Sequence, residues 1–275
     1  MNKHHTRNFS RSIRKKGRRL LNEIKKDPRH LFLLSPPFSG STAITQLIRT
    51  SPNVTVFPGR GEGQHLPEAK NILLVDQRWN PNLKVNWERI RKIFLSYWSP
   101  LKPIRFEKSP PHIVRAAELE QLFENAYFLI TLRNPYAQIE GLLRRRIPFN
   151  NYGPQTTPSP SPTPRDAAEF WVRTARFQKY NMEQLKNSCF FSYEELTKKT
   201  DETISIILEF LPDISNVDIE AEFTARNVTG KPIKGFKNLN QQKIDRLSSR
   251  QLKEVNSILC QHQDILHFFK YQMIA

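Results

Sequence analysis

The sequence contains little cysteine and no long apolar segment. Its 275 residues include two cysteines, Cys189 and Cys260, which supply neither a disulfide framework nor the clustered ligands of a metal site. This usage predicts a protein of a reducing compartment. No apolar run approaches the roughly 20 residues that a membrane-spanning helix needs. Residues 1–27 are basic and lack the apolar core of a signal peptide, so we expect a cytoplasmic protein without a metal.

Negative charge is also scarce, and the positive excess is uneven. The chain carries 43 Lys and Arg against 26 Asp and Glu, a net charge of +17, and residues 1–30 alone have a net charge of +9. Residues 1–28 are predicted to be a basic arm. Within it, Ser10–Lys26 is either an amphipathic helix that contacts an anionic membrane or another polyanion, or a solvated tail. Residues 29–275 have the length of one α/β domain.

The stretch Leu31–Thr45 predicts an anion-binding site. Four apolar residues, Leu31–Leu34, are typical of a buried strand; two prolines and a glycine follow, and Ser39–Thr42 open an amphipathic helix. Unpaired backbone N–H groups at a helix start favour a phosphate or a sulfate. The alternative is that the serine and threonine hydroxyls only cap the helix.

This loop lacks the lysine of a nucleoside-triphosphate loop. That motif reads Gly-x-x-x-x-Gly-Lys-Ser/Thr, whereas Ser41 follows Gly40 and no Lys or Arg lies between His30 and Arg49. The difference weakens an interpretation as an ATPase or a kinase.

A second predicted strand, Tyr127–Leu132, ends at an arginine. Asn134 and Pro135 then force a turn, and a helix follows. Ligands of open parallel sheets bind at the carboxyl ends of the strands, where the guanidinium of Arg133 is suited to grip a phosphate with two parallel hydrogen bonds. The alternative is a solvated arginine at a strand end.

Four segments in this order resemble the sulfotransferases that use 3′-phosphoadenylyl sulfate (PAPS). They are Pro37–Thr42 (PFSGST), Glu107–His112 (EKSPPH), Arg133–Pro135 (RNP) and Phe190–Leu196 (FFSYEEL). Each segment is short, but together they resemble the single-domain bacterial-type and Golgi-type members over roughly residues 29–271. The resemblance implies a three-layer α/β fold of the P-loop type, with a central parallel sheet flanked by helices. Golgi members usually carry a membrane anchor, so the bacterial type is the better match.

The chain departs from this family at two positions. Phe38 stands where many relatives carry an Arg or Lys that stabilises the transferring group. Gly141 stands eight residues after Arg133, where many carry a serine that contacts the 3′-phosphate. The glycine removes a donor but admits a close backbone approach. Arg144–Arg146 either compensate or form a solvated helix end.

The resemblance implies three catalytic candidates. Glu62, in a glycine-rich loop, lies where the tyrosylprotein branch has its catalytic base, and is otherwise a solvated loop residue. Lys108 would stabilise charge on the leaving phosphate, or would form an ion pair with Glu107 or Glu118. His112 either donates to the sulfonate or has a structural role.

The resemblance also implies the donor contacts. The 5′-phosphosulfate would lie on the first loop and the 3′-phosphate near Arg133, while a basic loop over residues 229–240 would close over the nucleotide. An exposed lysine-rich linker is the alternative for that loop. The cofactor-binding candidates are Phe38, Ser39, Gly40, Ser41, Thr42, Arg133, Gly141, Lys234 and Lys237.

Further elements follow from periodicity and breakers. Ile147–Arg165 is rich in Pro, Ser and Thr and is predicted to have neither helix nor strand. The remaining predicted elements are strands over Asn53–Phe57, Pro103–Glu107 and Ser188–Ser192, and helices over Asp166–Leu185 and Thr203–Leu211. Ile244–Leu259 resembles the family's closing helix, so the resemblance implies one helix there.

The sequence therefore predicts a PAPS-dependent sulfotransferase that releases adenosine 3′,5′-bisphosphate. The acceptor is a hydroxyl or an amine of a glycan, glycolipid, peptide or small molecule. Two other classes remain: a phosphotransferase, which would need a cation in the first loop and a metal-binding aspartate, and a non-catalytic basic module that binds through the N-terminal arm. Nucleic acid is not an expected partner.

Overall fold

Five parallel strands form the central sheet. The computed structural model describes residues 27–150, 153–155, 160–223 and 233–274. The strands are β1 (Arg29–Leu34), β2 (Val54–Val56), β3 (Ile104–Glu107), β4 (Ala126–Leu132), β5 (Phe149–Asn150), β6 (Gly153–Pro154), β7 (Ser188–Ser192), β8 (Glu222–Phe223) and β9 (Ile233–Lys234). The sheet has the order β2-β3-β1-β4-β7, and β5-β6 and β8-β9 are short antiparallel pairs.

Helices connect the strands and cover the sheet. They are α1 (Ser41–Thr50), α2 (Lys70–Leu73), α3 (Trp87–Tyr97), α4 (Ala116–Leu122), α5 (Pro135–Arg145), α6 (Pro164–Gln184), α7 (Tyr193–Lys198), α8 (Thr200–Phe210), α9 (Asn240–Ile244), α10 (Ser249–Leu259) and α11 (Gln263–Phe268). Short 3-10 turns span Gly63–His65, Pro110–Arg115 and Cys260–His262.

The central strand β1 is apolar because both of its faces are covered. It pairs with β3 on one side and with β4 on the other. Leu31–Leu34 are all at most 1% exposed, and their side chains alternate between two separate core clusters. Such continuous apolar runs are typical of parallel strands between two helical layers. The predicted three-layer α/β fold with a parallel sheet is confirmed.

The parallel arrangement brings the chemistry-bearing residues to one edge. Because all five strands of the sheet run the same way, the residues that follow them lie at the same carboxyl edge. Ser35 follows β1, Lys108 follows β3, Arg133 follows β4 and Tyr193 follows β7.

The predicted irregular stretch Ile147–Arg165 is partly ordered into regular structure. Phe149–Asn150 pairs with Gly153–Pro154, and α6 begins already at Pro164. The early helix start has a local cause. Thr163 accepts a hydrogen bond from the backbone of Asp166, whose carboxylate binds back to the Thr163 backbone, and this capping box stabilises the first turn.

The predicted single helix Ile244–Leu259 is wrong, because the chain forms two helices there. The helix α9 ends at Ile244, and α10 begins at Ser249. Ser248 is the N-cap of α10 and forms a capping box with Gln251, which favours a new helix over continuation of the old one. The first residue of α9, Asn240, contacts Arg133 at the end of β4.

The predicted basic arm lies mostly outside the described residues, since the description begins at residue 27. Within the described ranges, no helix combines the length and apolar character needed to cross a membrane.

We expect Leu129→Ala to lower the free energy of unfolding by about 2–5 kcal/mol, because Leu129 is fully buried in the central strand β4 and its truncation leaves a cavity. Denaturant unfolding measures the change. Leu101→Ala is the matched control, since the Leu101 side chain is 63% exposed and should change stability little. Equal effects of the two substitutions would contradict the assigned sheet.

Candidate active site

The loop between β1 and α1 has the backbone geometry of an anion site. Phe38 and Gly40 both have left-handed φ angles, of 66° and 85°. Gly40 is the N-cap of α1, and a Cβ atom on it would lie 2.8 Å from the Tyr193 ring. The amides of Gly40, Ser41 and Thr42 donate to no other group in the described part of the chain. Three N–H groups at the positive end of a helix are therefore available to a ligand.

The alternative that this segment merely caps a helix is wrong. No side chain caps α1. The Ser39 hydroxyl donates to Gln138 Oε1 at 3.0 Å, and the hydroxyls of Ser41 and Thr42 make no hydrogen bond with a described residue. The serine-rich loop thus leaves donors unused instead of satisfying the helix start.

Arg133 is buried at the end of β4, so the alternative of a solvated arginine is also wrong. It is 4% exposed; its Nη1 donates to the Phe38 carbonyl at 2.9 Å and its Nε to Asn240 Oδ1 at 2.8 Å. The guanidinium lies 3.8 Å from the centroid of the Tyr193 ring. Burial lowers the pKa of Arg133, against the attraction of Tyr193 and Glu194. The buried Nη2 has no partner among the described residues, so one donor remains for a ligand.

Glu194 holds the surroundings of Arg133 in place. Its Oε1 accepts from the Asn134 amide at 3.0 Å and from Asn240 Nδ2 at 2.5 Å, and its Oε2 accepts from the Tyr271 hydroxyl at 2.8 Å. One carboxylate thereby connects the start of α5, the start of α9 and the C-terminal segment. The motif Phe190–Leu196 contained this residue, but its role depends on partners far away in the sequence.

The two positions that depart from the family lie against each other. The ring of Phe38 packs on α5 where Gly141 lacks a side chain, and a Cβ atom at Gly141 would lie 2.6 Å from the ring. The Phe38 ring therefore occupies the space beside Gly141. The sequence predicted instead that this space would let the backbone approach a ligand. Local sequence patterns could not predict the contact between Phe38 and Gly141, because the two residues are 103 positions apart.

Glu62 and Lys108 form a buried ion pair. Lys108 Nζ donates to Glu62 Oε1 at 2.7 Å, while Gln64 Nε2 and His65 Nε2 lie 2.6 Å and 3.2 Å from Glu62 Oε2. Glu62 is 7% exposed, so it is not a solvated loop residue. Burial alone would raise the pKa of Glu62, but hydrogen bonds from His65 and Lys108 and the charge of Lys108 lower it to about 2. The structural alternative for Lys108 named Glu107 or Glu118 as its ion-pair partner, whereas the partner in the structure is Glu62.

Glu107 positions this pair from beneath. It is fully buried and accepts hydrogen bonds from the amides of Gly63 and Ser109, both at 2.9 Å, and from the Ser109 hydroxyl. His112 Nε2 lies 3.1 Å from Glu107 Oε2. Burial opposes ionisation, but the charge of His112 and these hydrogen bonds lower the pKa of Glu107. A single carboxylate thus fixes the residues next to Glu62 and next to Lys108.

Arg78 is a buried cation beside this cluster that sequence reasoning missed. It is 8% exposed, and among the described residues its guanidinium makes one hydrogen bond, from Nη1 to the Val75 carbonyl at 3.3 Å. Burial lowers the pKa of Arg78 to about 10, against the attraction of Asp76 and Glu62. Together with Gln64, Ser109, His112 and Arg115, it lines a small cavity next to the Glu62–Lys108 pair. No motif marks Arg78, because its neighbours come from other loops.

The lysine candidates of the basic loop are placed differently. Lys237 is exposed, and its carbonyl accepts a hydrogen bond from the Tyr193 hydroxyl at 2.8 Å. This segment therefore lies next to the Tyr193 ring, over which the Arg133 guanidinium packs. Lys234 lies in β9, and residues 224–232 are outside the described ranges. Within the described residues, no group of three His, Cys, Asp or Glu side chains is arranged to hold a metal ion.

A family model supports the class that this geometry suggests. The model of the sulfotransferase family matches residues 28–213, more than half of the chain. The match includes the loop Phe38–Thr42, the Glu62–Lys108 pair and Arg133. The chain therefore belongs to the sulfotransferase family, and its general activity is the transfer of sulfonate groups.

Solved structures share the fold at low sequence identity. The sulfotransferase domain from the curacin biosynthetic pathway has a TM-score of 0.52 at 18% identity, covering 90% of this chain and 99% of that one. A sulfotransferase from Alicyclobacillus acidocaldarius has a TM-score of 0.53 at 12% identity, covering 89% and 96%. Sulfotransferase STF9 from Mycobacterium avium has a TM-score of 0.51 at 12% identity, covering 96% and 82%. No curated protein sequence matches the chain.

The Phe38–Gly141 contact predicts a stability change with a specific rescue. Gly141→Ala should lower the free energy of unfolding by about 1–3 kcal/mol, because the new methyl group overlaps the Phe38 ring. In a Phe38→Ala background the same change should be neutral or stabilising by up to about 1 kcal/mol, since alanine is the better helix former. Denaturant unfolding of the four variants of the cycle measures the coupling. Additive effects would contradict the contact.

Proposed function

We propose that the protein transfers a sulfonate group from PAPS to a hydroxyl or an amine of an acceptor. The observation that carries the proposal is the pairing of two anion-binding features at the edge of one sheet. The first is the loop Phe38–Thr42, where three amides at the start of α1 donate to no described residue. The second is the buried guanidinium of Arg133, whose Nη2 has no partner in the described part of the chain. Two phosphates of one nucleotide fit this arrangement better than a single anion does.

The residues present fit a bisphosphorylated donor. The 5′-phosphosulfate would accept hydrogen bonds from the amides of Gly40, Ser41 and Thr42 and from the hydroxyls of Ser41 and Thr42. The 3′-phosphate would bind to Arg133. Two residues of the basic loop, Lys234 and Lys237, are further candidates to contact it. Close approach to the first loop requires Gly40, since any larger residue would overlap the Tyr193 ring.

In the proposed reaction Glu62 is the general base and Lys108 stabilises the charge of the leaving group. The acceptor oxygen attacks sulfur in line with the phosphate oxygen, a new bond from oxygen to sulfur forms, and the old one breaks with its electron pair left on the phosphate. Glu62 would take the acceptor proton. Lys108 would stabilise the negative charge on the departing phosphate. Because Phe38 is uncharged, Lys108 is the principal cation for that role.

The ion pair sets a condition on this mechanism. While Lys108 remains on Glu62, the carboxylate has a pKa of about 2 and is a weak base. A donor that draws Lys108 Nζ toward its bridging oxygen removes one of the groups that lower this pKa. Burial then favours the protonated form, so the basicity of Glu62 rises when the donor is in place.

The pairing predicts that Lys108→Met raises the pKa of Glu62 from about 2, because burial already pushes it upward and His65 and Gln64 remain as the opposing hydrogen bonds. The carboxyl 13C chemical shift of Glu62, followed against pH, measures it without need of an acceptor. Lys70→Met is the matched control, since Lys70 is exposed and lies in the neighbouring helix α2. An unchanged titration in Lys108→Met would contradict the pairing.

The role of Arg133 predicts the nucleotide preference. Calorimetric titration should detect binding of adenosine 3′,5′-bisphosphate and little binding of ATP. Arg133→Ala should weaken the bisphosphate by about 10- to 100-fold, since hydrogen bonds to charged groups contribute about 1.5–3 kcal/mol. Arg133→Lys should lose less, because it keeps the charge.

The exposed residue Arg89 provides the matched control, and Arg89→Ala should leave affinity unchanged. Equal affinities of the wild type and Arg133→Ala would argue against the assigned phosphate site. Preference for ATP by the wild type would favour a phosphotransferase.

A further inference from the structure

The short helix α9 brings a buried lysine to the corner formed by Arg133, Phe38 and Gly141. Lys243 has 8% of its side chain exposed, and its Nζ lies 3.2 Å from the Ala137 carbonyl, 3.4 Å from Glu140 Oε2 and 5.6 Å from the centroid of the Phe38 ring. The first residue of the same helix, Asn240, binds Arg133. Thus α9 contributes two side chains to the surroundings of one guanidinium.

Lys243 shares its carboxylate with two other cations. Glu140 is 3% exposed, and Arg144 Nε, Lys243 Nζ and Arg246 Nη1 lie 2.7 Å, 3.4 Å and 3.4 Å from its carboxylate. Lys243 is the buried member of the three, since the side chains of Arg144 and Arg246 are 33% and 44% exposed. Arg133, whose charge Glu194 and Glu140 attract, adds a positive charge that acts on Lys243. An incoming dianion would give the buried ammonium group a negative partner that it does not share with Arg144 and Arg246.

The same corner contains the two departures from the family pattern. Phe38 provides no cation, and Gly141 provides no hydroxyl. The Phe38 ring lies on Gly141 and also faces the ammonium group of Lys243. The cation that lies in this corner is Lys243. It belongs to α9, which lies beyond the segment that the family model matches.

We propose that Lys243 binds the 3′-phosphate of the nucleotide together with Arg133, in place of the side-chain donor absent at position 141. The inference rests on the proposed PAPS site. The location favours the 3′-phosphate because Ala137 and Glu140, the two residues that Lys243 contacts, lie on the α5 turns that hold Gly141 and directly follow Arg133. The present contacts of Lys243, at 3.2 Å and 3.4 Å, are long, so a phosphate oxygen would be the stronger partner.

This arrangement makes nucleotide affinity depend on pH. Burial and the charge of Arg133 lower the pKa of Lys243 to about 8, against the attraction of Glu140. The other charged groups that face it are Arg133, Glu140, Arg144 and Arg246. A 3′-phosphate is already a dianion between pH 7 and 9.5, since its second pKa is about 6. Affinity should therefore fall as pH rises above about 8, by at most tenfold per pH unit.

The test is calorimetric titration of the full chain with adenosine 3′,5′-bisphosphate and with adenosine 5′-phosphate, which lacks the 3′-phosphate, from pH 7 to 9.5. Lys243→Met should weaken the bisphosphate by about 10- to 100-fold at pH 7, change adenosine 5′-phosphate little, and remove the pH dependence. Lys243→Arg should bind the bisphosphate with an affinity that is flat across this range. Lys253→Met, an equal charge loss at an exposed position of α10, should behave as the wild type.

The outcomes separate the two proposals. Failure of the wild type to bind either nucleotide would refute the proposed donor site itself. Binding by the wild type with equal affinity in Lys243→Met would overturn the role of Lys243 and leave the donor site standing. If Lys243→Met does not fold, the pH profiles of the wild type and Lys243→Arg decide, and identical profiles would overturn the proposal.

Discussion

The buried guanidinium of Arg133 is the interaction on which the site depends. It binds the Phe38 carbonyl, binds Asn240 and lies over the ring of Tyr193, so it joins the loop after β1, the start of α9 and the start of α7. The left-handed backbone at Phe38 requires such support, since this conformation is strained for a residue with a side chain. The guanidinium that would bind the 3′-phosphate therefore also supports the loop Phe38–Thr42, which would bind the 5′-phosphosulfate.

Two carboxylates fix the neighbourhoods of the two parts of the candidate site. The fully buried Glu107 connects the Gly63 and Ser109 amides, and so sets the distance between Glu62 and Lys108. The half-buried Glu194 connects Asn240 and Tyr271 around Arg133. Each carboxylate accepts several hydrogen bonds, and in Glu107 these bonds stabilise a buried charge. The chain thus uses acidic residues to hold an otherwise strongly basic site in place.

Local patterns carried the prediction a long way. The apolar runs of β1 and β4, with prolines and glycine directly after β1 and Asn134-Pro135 after Arg133, predicted two buried strands that are each followed by a turn and a helix. The helix break at Ser248 was missed, although Ser248 and Gln251 form a recognisable capping box, because Ile244–Leu259 was interpreted through its resemblance to the closing helix of the family. Glu62 was predicted as a base, but its ion pair with Lys108 was not, since the two residues are 46 positions apart.

The sequence by itself determined the order of the strands along the chain and the residues that follow each strand, because these depend on periodicity and turn chemistry over a few residues, and the fold class followed from the resemblance of four short segments to a known family. Only the tertiary structure decided which of these residues meet. The contact of Phe38 with Gly141, the approach of Lys243 to both, and the burial of Arg78 depend on the sheet order β2-β3-β1-β4-β7 and on the position of α9. The packing of segments that are distant in the sequence sets the sheet order and the position of α9, and no local sequence pattern predicts that packing.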